Sequence, residues 1–198
     1  MKSISKEIET KIEIKKSIFI SRIYPITSKQ KSIEIIKNIS EKYKDATHHC
    51  TAFIIKGIES SDDDGEPNGT AGKPMLNVLK QNNLENILAI VTRYFGGIKL
   101  GSGGLVRAYS KSVQQAIAIS NIIELNPHQI YEISFNYSNL KFIENEIRKN
   151  NFRILNKEFQ EDIQYKIALN NKNIETLKDF KNKLKDSSTI KFIEEKHL

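Results

Sequence analysis

The segment that most constrains the fold runs from Arg93 to Ser110 and has the sequence RYFGGIKLGSGGLVRAYS. It contains five of the nine glycines of the chain. An apolar run from Ile87 to Val91 precedes it, and an amphipathic helical pattern follows it. The order strand, glycine-rich loop and helix indicates an α/β domain in which the helix lies against a sheet.

The glycine-rich loop has the chemistry of an anion site. A helix that begins just after Gly103 and Gly104 directs free backbone N–H groups, and the positive end of its dipole, at whatever occupies the loop. Cationic side chains surround it, and a phosphate is the ligand that this combination favours. A tight turn that binds nothing is the alternative, since glycine serves both purposes. The candidate phosphate-binding residues are Lys73, Arg93, Lys99, Gly101, Ser102, Gly103, Gly104 and Arg107.

A second loop, from Ser60 to Pro74, is polar and rich in turn residues, with the sequence SSDDDGEPNGTAGKP. Asp62, Asp64 and Glu66 are candidate Mg²⁺ ligands. Because carboxylates near arginine usually form ion pairs or hydrogen bonds, we expect this acidic patch to pair with Arg93 or Arg107, or to cap the loop. The residues of the two loops with an expected structural role are Gly65, Pro67, Gly69, Thr70, Gly72, Tyr94, Gly96 and Gly97.

His48, His49 and Cys50 lie in a predicted strand from Ala46 to Lys56. On a strand, His48 and Cys50 share one face and His49 points to the other. A metal site needs three or four convergent ligands, and no second ligand pair with zinc-like spacing follows. We therefore expect these residues to be packed or exposed rather than metal-bound.

Composition allows several function classes and disfavours others. The chain has 198 residues and a net charge of +7, which permits a nucleic-acid partner without requiring one. A single cysteine excludes an internal disulfide and suits a reducing cytoplasm. No apolar run approaches the roughly 20 residues that a membrane span needs, so we expect no membrane partner.

Periodicity predicts the elements around the two loops. A strand covers Glu9 to Ile26 with an interruption near Lys15–Ser17, and a helix covers Ser28 to Tyr43, opened by a capping box at Thr27. A short helix is expected to start at Pro74, and a buried strand to cover Glu85 to Thr92. The residues predicted on the buried face of the helix after the glycine-rich loop are Val106, Tyr109, Val113, Ala116, Ile117 and Ser120.

Asn126-Pro127 indicates a domain boundary, which divides the chain into residues 1–127 and 128–198. The second part has the order β-α-β-β-α-β of a ferredoxin-like domain, with Ser138 and Asn171 as the expected helix caps. It contains no glycine and no His/Cys cluster, so we interpret it as a binding or scaffolding module.

DDDGEPNGTAGKP and VTRYFGGIKLGSGGLVRAYS resemble the paired signatures of the YigZ/IMPACT family, in its bacterial branch. Only small differences occur, at Asn68 and Ser102, where Ser and Thr are common in the family. The resemblance implies an α/β domain like those of ribosomal proteins and domain four of elongation factor G, followed by a tail similar to the last domain of that factor.

The ribosomal proteins and elongation factor G, whose domains this fold resembles, contact RNA or the ribosome. Eukaryotic members of the family are linked to translation control through the starvation-responsive initiation-factor kinase pathway. Those members carry an extra N-terminal domain for partner binding, which we do not expect in a chain that begins at its first strand.

Two functional hypotheses follow. The first is a non-enzymatic protein that binds RNA, the ribosome or a translation-associated partner, in which Tyr94 and Phe95 stack on a base if exposed and fill the core if not. The second is an enzyme that acts on a phosphorylated small molecule or nucleotide with Mg²⁺, with His48 or His49 as a base. Apart from Mg²⁺, no cofactor is expected.

Overall fold

The computed structural model describes residues 1–170, 173–184 and 188–197, in two compact units, Met1–Glu124 and Leu125–Leu198. The chain is mixed α/β, as predicted. The expected helix cap Asn171 lies outside the described residues. None of the helices in the described ranges has the length and apolar composition that crossing a bilayer requires.

The N-terminal unit is built on a five-stranded antiparallel sheet with the order β2-β3-β6-β4-β5, and a two-stranded sheet pairs β1 with β7. Its strands are β1 (Lys2–Ile4), β2 (Ile8–Ile14), β3 (Ser17–Pro25), β4 (His48–Ile55), β5 (Ile58–Asp62), β6 (Ile87–Tyr94) and β7 (Ile122–Glu124). Its helices are α1 (Lys29–Lys42), α2 (Gly72–Gln81) and α3 (Ser102–Ala118).

Helices cover both faces of the large sheet, and strand β6 shows why its sequence is continuously apolar. Ile87, Ala89 and Val91 face a core that includes residues of α2 and α3. Leu88 and Ile90 face a second core that includes residues of α1. A strand that is covered on both sides loses the polar alternation of a half-exposed strand, which is what the apolar run before the glycine-rich loop indicates.

The predicted interruption near Lys15–Ser17 is a tight hairpin turn between β2 and β3. Lys15 and Lys16 have positive φ angles of 48° and 64°, as a two-residue turn with the strand twist requires. Gly96 lies against this turn, and a Cβ atom at Gly96 would overlap the carbonyl group of Lys16. The glycine-rich loop is therefore in direct backbone contact with the first hairpin.

Some predicted details of the helices are wrong. Ser28, not Thr27, caps α1, and its hydroxyl accepts a hydrogen bond from the N–H of Lys31. Helix α2 begins at Gly72 rather than at Pro74, because a carboxylate of the acidic loop accepts N–H groups at its start. Val106 of α3 is exposed rather than buried.

The buried face of α3 begins one residue earlier than predicted, and Ser120 lies beyond the end of the helix. Its buried residues are Leu105, Ala108, Tyr109, Ser112, Val113, Ala116 and Ile117. The sequence does not predict strand β5, because all five of its residues are exposed and lack an apolar alternation.

The C-terminal unit has the ferredoxin-like order that the sequence predicts. Its antiparallel sheet has the order β11-β8-β10-β9. A 3-10 turn over Tyr137–Asn139 includes Ser138 and leads into α4, which starts one residue later than the predicted Ser138 cap implies. The elements are β8 (Pro127–Phe135), α4 (Leu140–Lys149), β9 (Arg153–Phe159), β10 (Ile163–Asn170), α5 (Ile174–Lys183) and β11 (Ser188–His197).

The contact between Gly96 and Lys16 predicts a sharp cost for a single methyl group. Gly96→Ala should lower the free energy of unfolding by about 3 kcal/mol, because backbone atoms must move to admit the Cβ atom. Gly103→Ala is the matched control, since its Cβ meets only the end of the Arg107 side chain and alanine favours a helix by less than about 1 kcal/mol. Urea unfolding followed by circular dichroism measures both. Equal stability of the two variants would contradict the close backbone contact between Gly96 and Lys16.

Candidate functional site

A buried ion pair joins the acidic loop to strand β6. Glu66 and Arg93 are 7% and 5% exposed, and Nη1 of Arg93 donates to Oε1 of Glu66 at 2.5 Å. The hydroxyl of Tyr109 on α3 donates to the same oxygen at 2.7 Å. The expected pairing of the acidic patch with Arg93 is therefore present, and one carboxylate connects the loop, the sheet and the helix.

Other buried groups extend this network. The thiol of Cys50 lies 3.0 Å from the carbonyl oxygen of Asp63 and 3.3 Å from the hydroxyl of Tyr109. Burial raises the pKa of both the Cys50 thiol and the Tyr109 hydroxyl, so both groups are neutral at physiological pH. Nη2 of Arg93 donates to the hydroxyl of Ser17 at 3.3 Å. The network is anchored on several elements of the N-terminal unit.

Asp63 fixes the conformation of the acidic loop. Its Oδ2 accepts the N–H of Gly69 at 2.7 Å, and its Oδ1 accepts the N–H groups of Ala71 and Gly72 at 3.0 and 2.8 Å. Burial raises the pKa of this carboxyl, but the three backbone hydrogen bonds outweigh it, and the net effect is a lowered pKa. Gly72 also admits close backbone contact, since a Cβ there would lie 2.7 Å from the backbone nitrogen of Asp62.

The three candidate Mg²⁺ ligands are engaged in other interactions. Oδ1 of Asp62 accepts the N–H of Asp64 at 2.9 Å, and Oδ2 of Asp64 accepts the N–H of His49 at 2.5 Å. Glu66 is paired with Arg93. Within residues 1–170, 173–184 and 188–197, no group of three or more His, Cys, Asp or Glu side chains is placed to hold a metal ion.

The remaining motif residues shape the two loops. The carbonyl oxygen of Pro67 accepts both the N–H and the hydroxyl of Thr70, at 3.0 and 2.5 Å. The hydroxyl of Tyr94 donates to Asp45 at 3.2 Å. Positive φ angles occur at Gly65, Gly69, Gly97 and Gly101.

The two histidines lie on opposite faces of β4, as the alternation predicts. Nδ1 of His48 donates to the carbonyl oxygen of Asp64 at 2.7 Å, which leaves Nε2 without a proton in the neutral ring. This Nε2 lies 3.9 Å from Oε1 of Glu66. On the other face, the ring nitrogens of His49 lie 3.1 Å from the carbonyl oxygen of Tyr43 and 3.2 Å from the hydroxyl of Thr92.

The two signature segments meet in a cleft of about 430 Å³ beside the ion pair, which we call the signature cleft. The acidic loop contributes Glu66 and Pro67, and the glycine-rich loop contributes residues from Lys99 to Ser102. The lining residues are Thr47, His48, Glu66, Pro67, Arg93, Phe95, Lys99, Leu100, Gly101, Ser102 and Leu105.

The N-terminus of α3 opens into the signature cleft. Gly101 is the N-cap residue with φ 72°, and its carbonyl oxygen accepts the N–H of Leu105 at 2.9 Å. No side chain in the described part of the chain caps this helix. The N–H groups of the first turn, from Ser102 to Gly104, therefore have no partner within the helix, and of these residues Ser102 lines the cleft.

The four candidate cations occupy different environments. Lys99 is exposed, lines the cleft and has no acidic partner among the described residues. The charge of Arg93 is balanced by Glu66. Arg107 is exposed near Gly103 but does not line the cleft. Lys73 lines a separate groove between α2 and α3. Only Lys99 thus brings an unbalanced charge into the cleft.

Phe95 is not a core residue, because 46% of it is exposed. Its N–H donates to the hydroxyl of Thr47 at 3.0 Å, and the guanidinium carbon of Arg93 lies 5.6 Å from its ring centroid. Of the two roles considered from the sequence, core packing is therefore wrong.

Sequence reasoning missed three features of the site: the hydroxyl of Tyr109, the hydroxyl of Ser17 and the fixed tautomer of His48. For Tyr109 a signal existed, since a tyrosine on a buried helix face needs a hydrogen-bond partner.

Comparisons with known proteins agree with these two segments and two units. Residues 15–117 match the family model of the Impact N-terminal domain, which covers more than half of the chain. The chain belongs to the IMPACT family. Residues 133–180 match the model of a domain of unknown function, DUF1949.

Relatives and solved structures extend the similarity to nearly the whole chain. An IMPACT family member of Bacillus subtilis, YvyE, is 41% identical over 167 residues, which cover 83% of this chain and 77% of that protein. A member from Haemophilus influenzae is 34% identical over 186 residues, covering 91% and 89%. The crystal structure of a hypothetical protein, 31% identical, superposes with a TM-score of 0.71 over 98% of this chain and 97% of that chain.

The buried ion pair predicts unequal costs for single and double substitutions. Arg93→Met should lower the free energy of unfolding by about 3–5 kcal/mol, because it leaves the Glu66 carboxylate buried without its partner. Glu66→Gln combined with Arg93→Met should cost less than the sum of the two single changes, since the two sites interact directly.

Arg107→Met is the matched control, because this arginine is exposed and its loss should change stability by less than about 0.5 kcal/mol. Urea denaturation of the native chain, of Glu66→Gln, of Arg93→Met and of their double variant measures this double-mutant cycle, and Arg107→Met is measured beside them. Strict additivity of the Glu66 and Arg93 changes would contradict the account of the ion pair.

Proposed function

We propose that this protein is a non-enzymatic RNA-binding factor that acts in translation and that contacts RNA phosphates through the signature cleft. The observation that carries the proposal is the uncapped N-terminus of α3, which opens beside the unbalanced charge of Lys99. Ribosomal RNA is the ligand that we expect.

The physical basis is anion recognition by backbone groups. The first-turn N–H groups of α3 have no partner inside the helix, and the helix dipole adds a partial positive charge at this end. A phosphate group can accept hydrogen bonds from Ser102 and Gly103 while Lys99 neutralises its charge. The net charge of +7 favours approach to a polyanion.

The glycines and the ion pair support this proposal by shaping the cleft. Gly101 places the start of α3 with a φ angle that other residues rarely adopt. The ion pair of Glu66 and Arg93 holds the acidic loop against β6, so the carboxylate is neutralised before a phosphate approaches. Without that pairing, Glu66 would repel an anion at this position.

The link to translation rests on the family. The signature segments resemble those of the IMPACT family. That resemblance implies domains like those of elongation factor G, and eukaryotic members of the family are linked to translation control. Membership of the IMPACT family supports the same assignment for this chain.

The Mg²⁺-dependent enzyme is less well supported than the binding protein. His48 lines the cleft, and its Nε2 carries no proton in the neutral ring that donates from Nδ1 to Asp64, which favours the enzyme. Against it, one oxygen of each of Asp62, Asp64 and Glu66 is already engaged by a backbone N–H or by Arg93. These three side chains also do not converge as a metal site in the part of the chain that the structure describes.

Co-sedimentation with ribosomes across a salt series tests the proposed function. We expect binding that weakens steeply with salt, because phosphate contacts release counterions. Lys99→Ala should weaken binding by about tenfold at low salt. It should also lower the number of counterions released on binding, which the salt dependence reports, by about one.

Lys37→Ala is the matched control, since Lys37 is an exposed lysine of α1, on the other side of the sheet. Absence of ribosome binding at low salt, or an equal loss in both lysine variants, would refute the proposed role of the cleft.

A further inference from the structure

We infer that the signature cleft accepts one unpaired nucleotide of single-stranded RNA, with its base against Phe95 and its phosphate at the N-terminus of α3. This inference rests on the proposed function and specifies the form of RNA that the site selects. The elements that carry it are Phe95, Arg93 and the size and polarity of the cleft.

Phe95 exposes an aromatic ring, and packing of the core does not explain why this ring is exposed. Nearly half of it is accessible, and it lines the cleft. The hydrogen bond from its N–H to Thr47 fixes the backbone, and the guanidinium of Arg93 lies near the ring. The guanidinium over one face restricts the ring before any ligand arrives, which lowers the entropic cost of stacking a base on the other face.

Arg93 supplies a second and independent indication of a ligand. Its side chain lines the cleft although the residue is 5% exposed, and both terminal nitrogens have partners in Glu66 and Ser17. Its Nε has no hydrogen-bond partner among the described residues. A buried N–H without a partner is destabilising. Because this nitrogen has almost no accessible surface, an acceptor atom of a bound nucleotide relieves that penalty when the Arg93 side chain shifts toward the cleft.

The remaining walls suit a nucleoside rather than a bare phosphate. Leu100 and Leu105 provide apolar surface beside the polar groups. Nε2 of His48 is an acceptor in the tautomer that Asp64 fixes, so it can take a hydrogen bond from a base amino group or a ribose hydroxyl. A phosphate ion alone would use neither of these features.

The form of the RNA follows from the geometry of stacking. A base in a duplex is stacked on both faces and is not free to lie on a protein side chain, whereas unpaired bases of single strands and loops are. The volume of about 430 Å³ lies in the range of sites for small ligands, and it has room for one nucleotide but not for a duplex.

Fluorescence anisotropy with the full chain tests this inference. The probes are a short unstructured oligoribonucleotide and the perfect duplex that contains the same strand. We expect tighter binding of the single strand, and we expect Phe95→Leu to weaken it by about tenfold while the weaker binding of the duplex stays unchanged.

Phe142→Leu is the matched control, because Phe142 is 38% exposed on α4 and does not line the cleft, and it should bind both probes like the native chain. Lys99→Ala should also weaken binding of the single-stranded probe. Circular dichroism confirms that each variant is folded.

Equal affinity for the two probes, or native affinity of Phe95→Leu for the single strand, would overturn the inference. If RNA binding still depends on Lys99 in that case, the proposed function stands and only the selection of an unpaired base fails. If neither probe binds and ribosomes do not sediment with the chain, the proposed function and this inference fail together.

Discussion

The ion pair between Glu66 and Arg93 holds the N-terminal unit together at the point where its two signature loops meet. Removing two charges from water is costly, and the cost is offset only when hydrogen bonds surround the pair. Here Tyr109 and Ser17 supply them, from α3 and β3. Because the partners come from four separate parts of the chain, the pair fixes the acidic loop, the sheet and the helix relative to one another, and the signature cleft depends on it.

The signature residues divide into those that build the cleft and those that remain free for a ligand. Asp63, Gly72 and Gly96 satisfy backbone groups or permit close backbone contact, and Arg93 balances Glu66. Among the described residues, the groups at the cleft that have no hydrogen-bond or ion-pair partner are the first N–H groups of α3, the side chain of Lys99 and the Nε of Arg93. The exposed ring of Phe95 and the Nε2 of His48 are further groups that a ligand can contact. A conspicuous motif can thus be largely structural, with a small set of atoms left for recognition.

The sequence predicts the large elements well because their patterns are local. The apolar run of β6, the turn at Lys15–Lys16 and the ferredoxin-like order of the tail follow from periodicity and turn chemistry. Strand β5 escapes prediction because it is a polar edge strand whose pairing partner, not its own sequence, makes it a strand. The role of Ser17, and which residue Tyr109 bonds to, depend on contacts between residues far apart in the chain, which no local pattern encodes.

The most direct test of the signature cleft as the ligand site is an NMR titration of the ¹⁵N-labelled chain with single-stranded RNA. We expect the largest amide shift changes at Phe95, Lys99 and the first turn of α3, from Ser102 to Gly104, with little change along α1. Shift changes confined to α1 or to the C-terminal unit would contradict it, because the RNA would then bind a surface that neither signature loop forms.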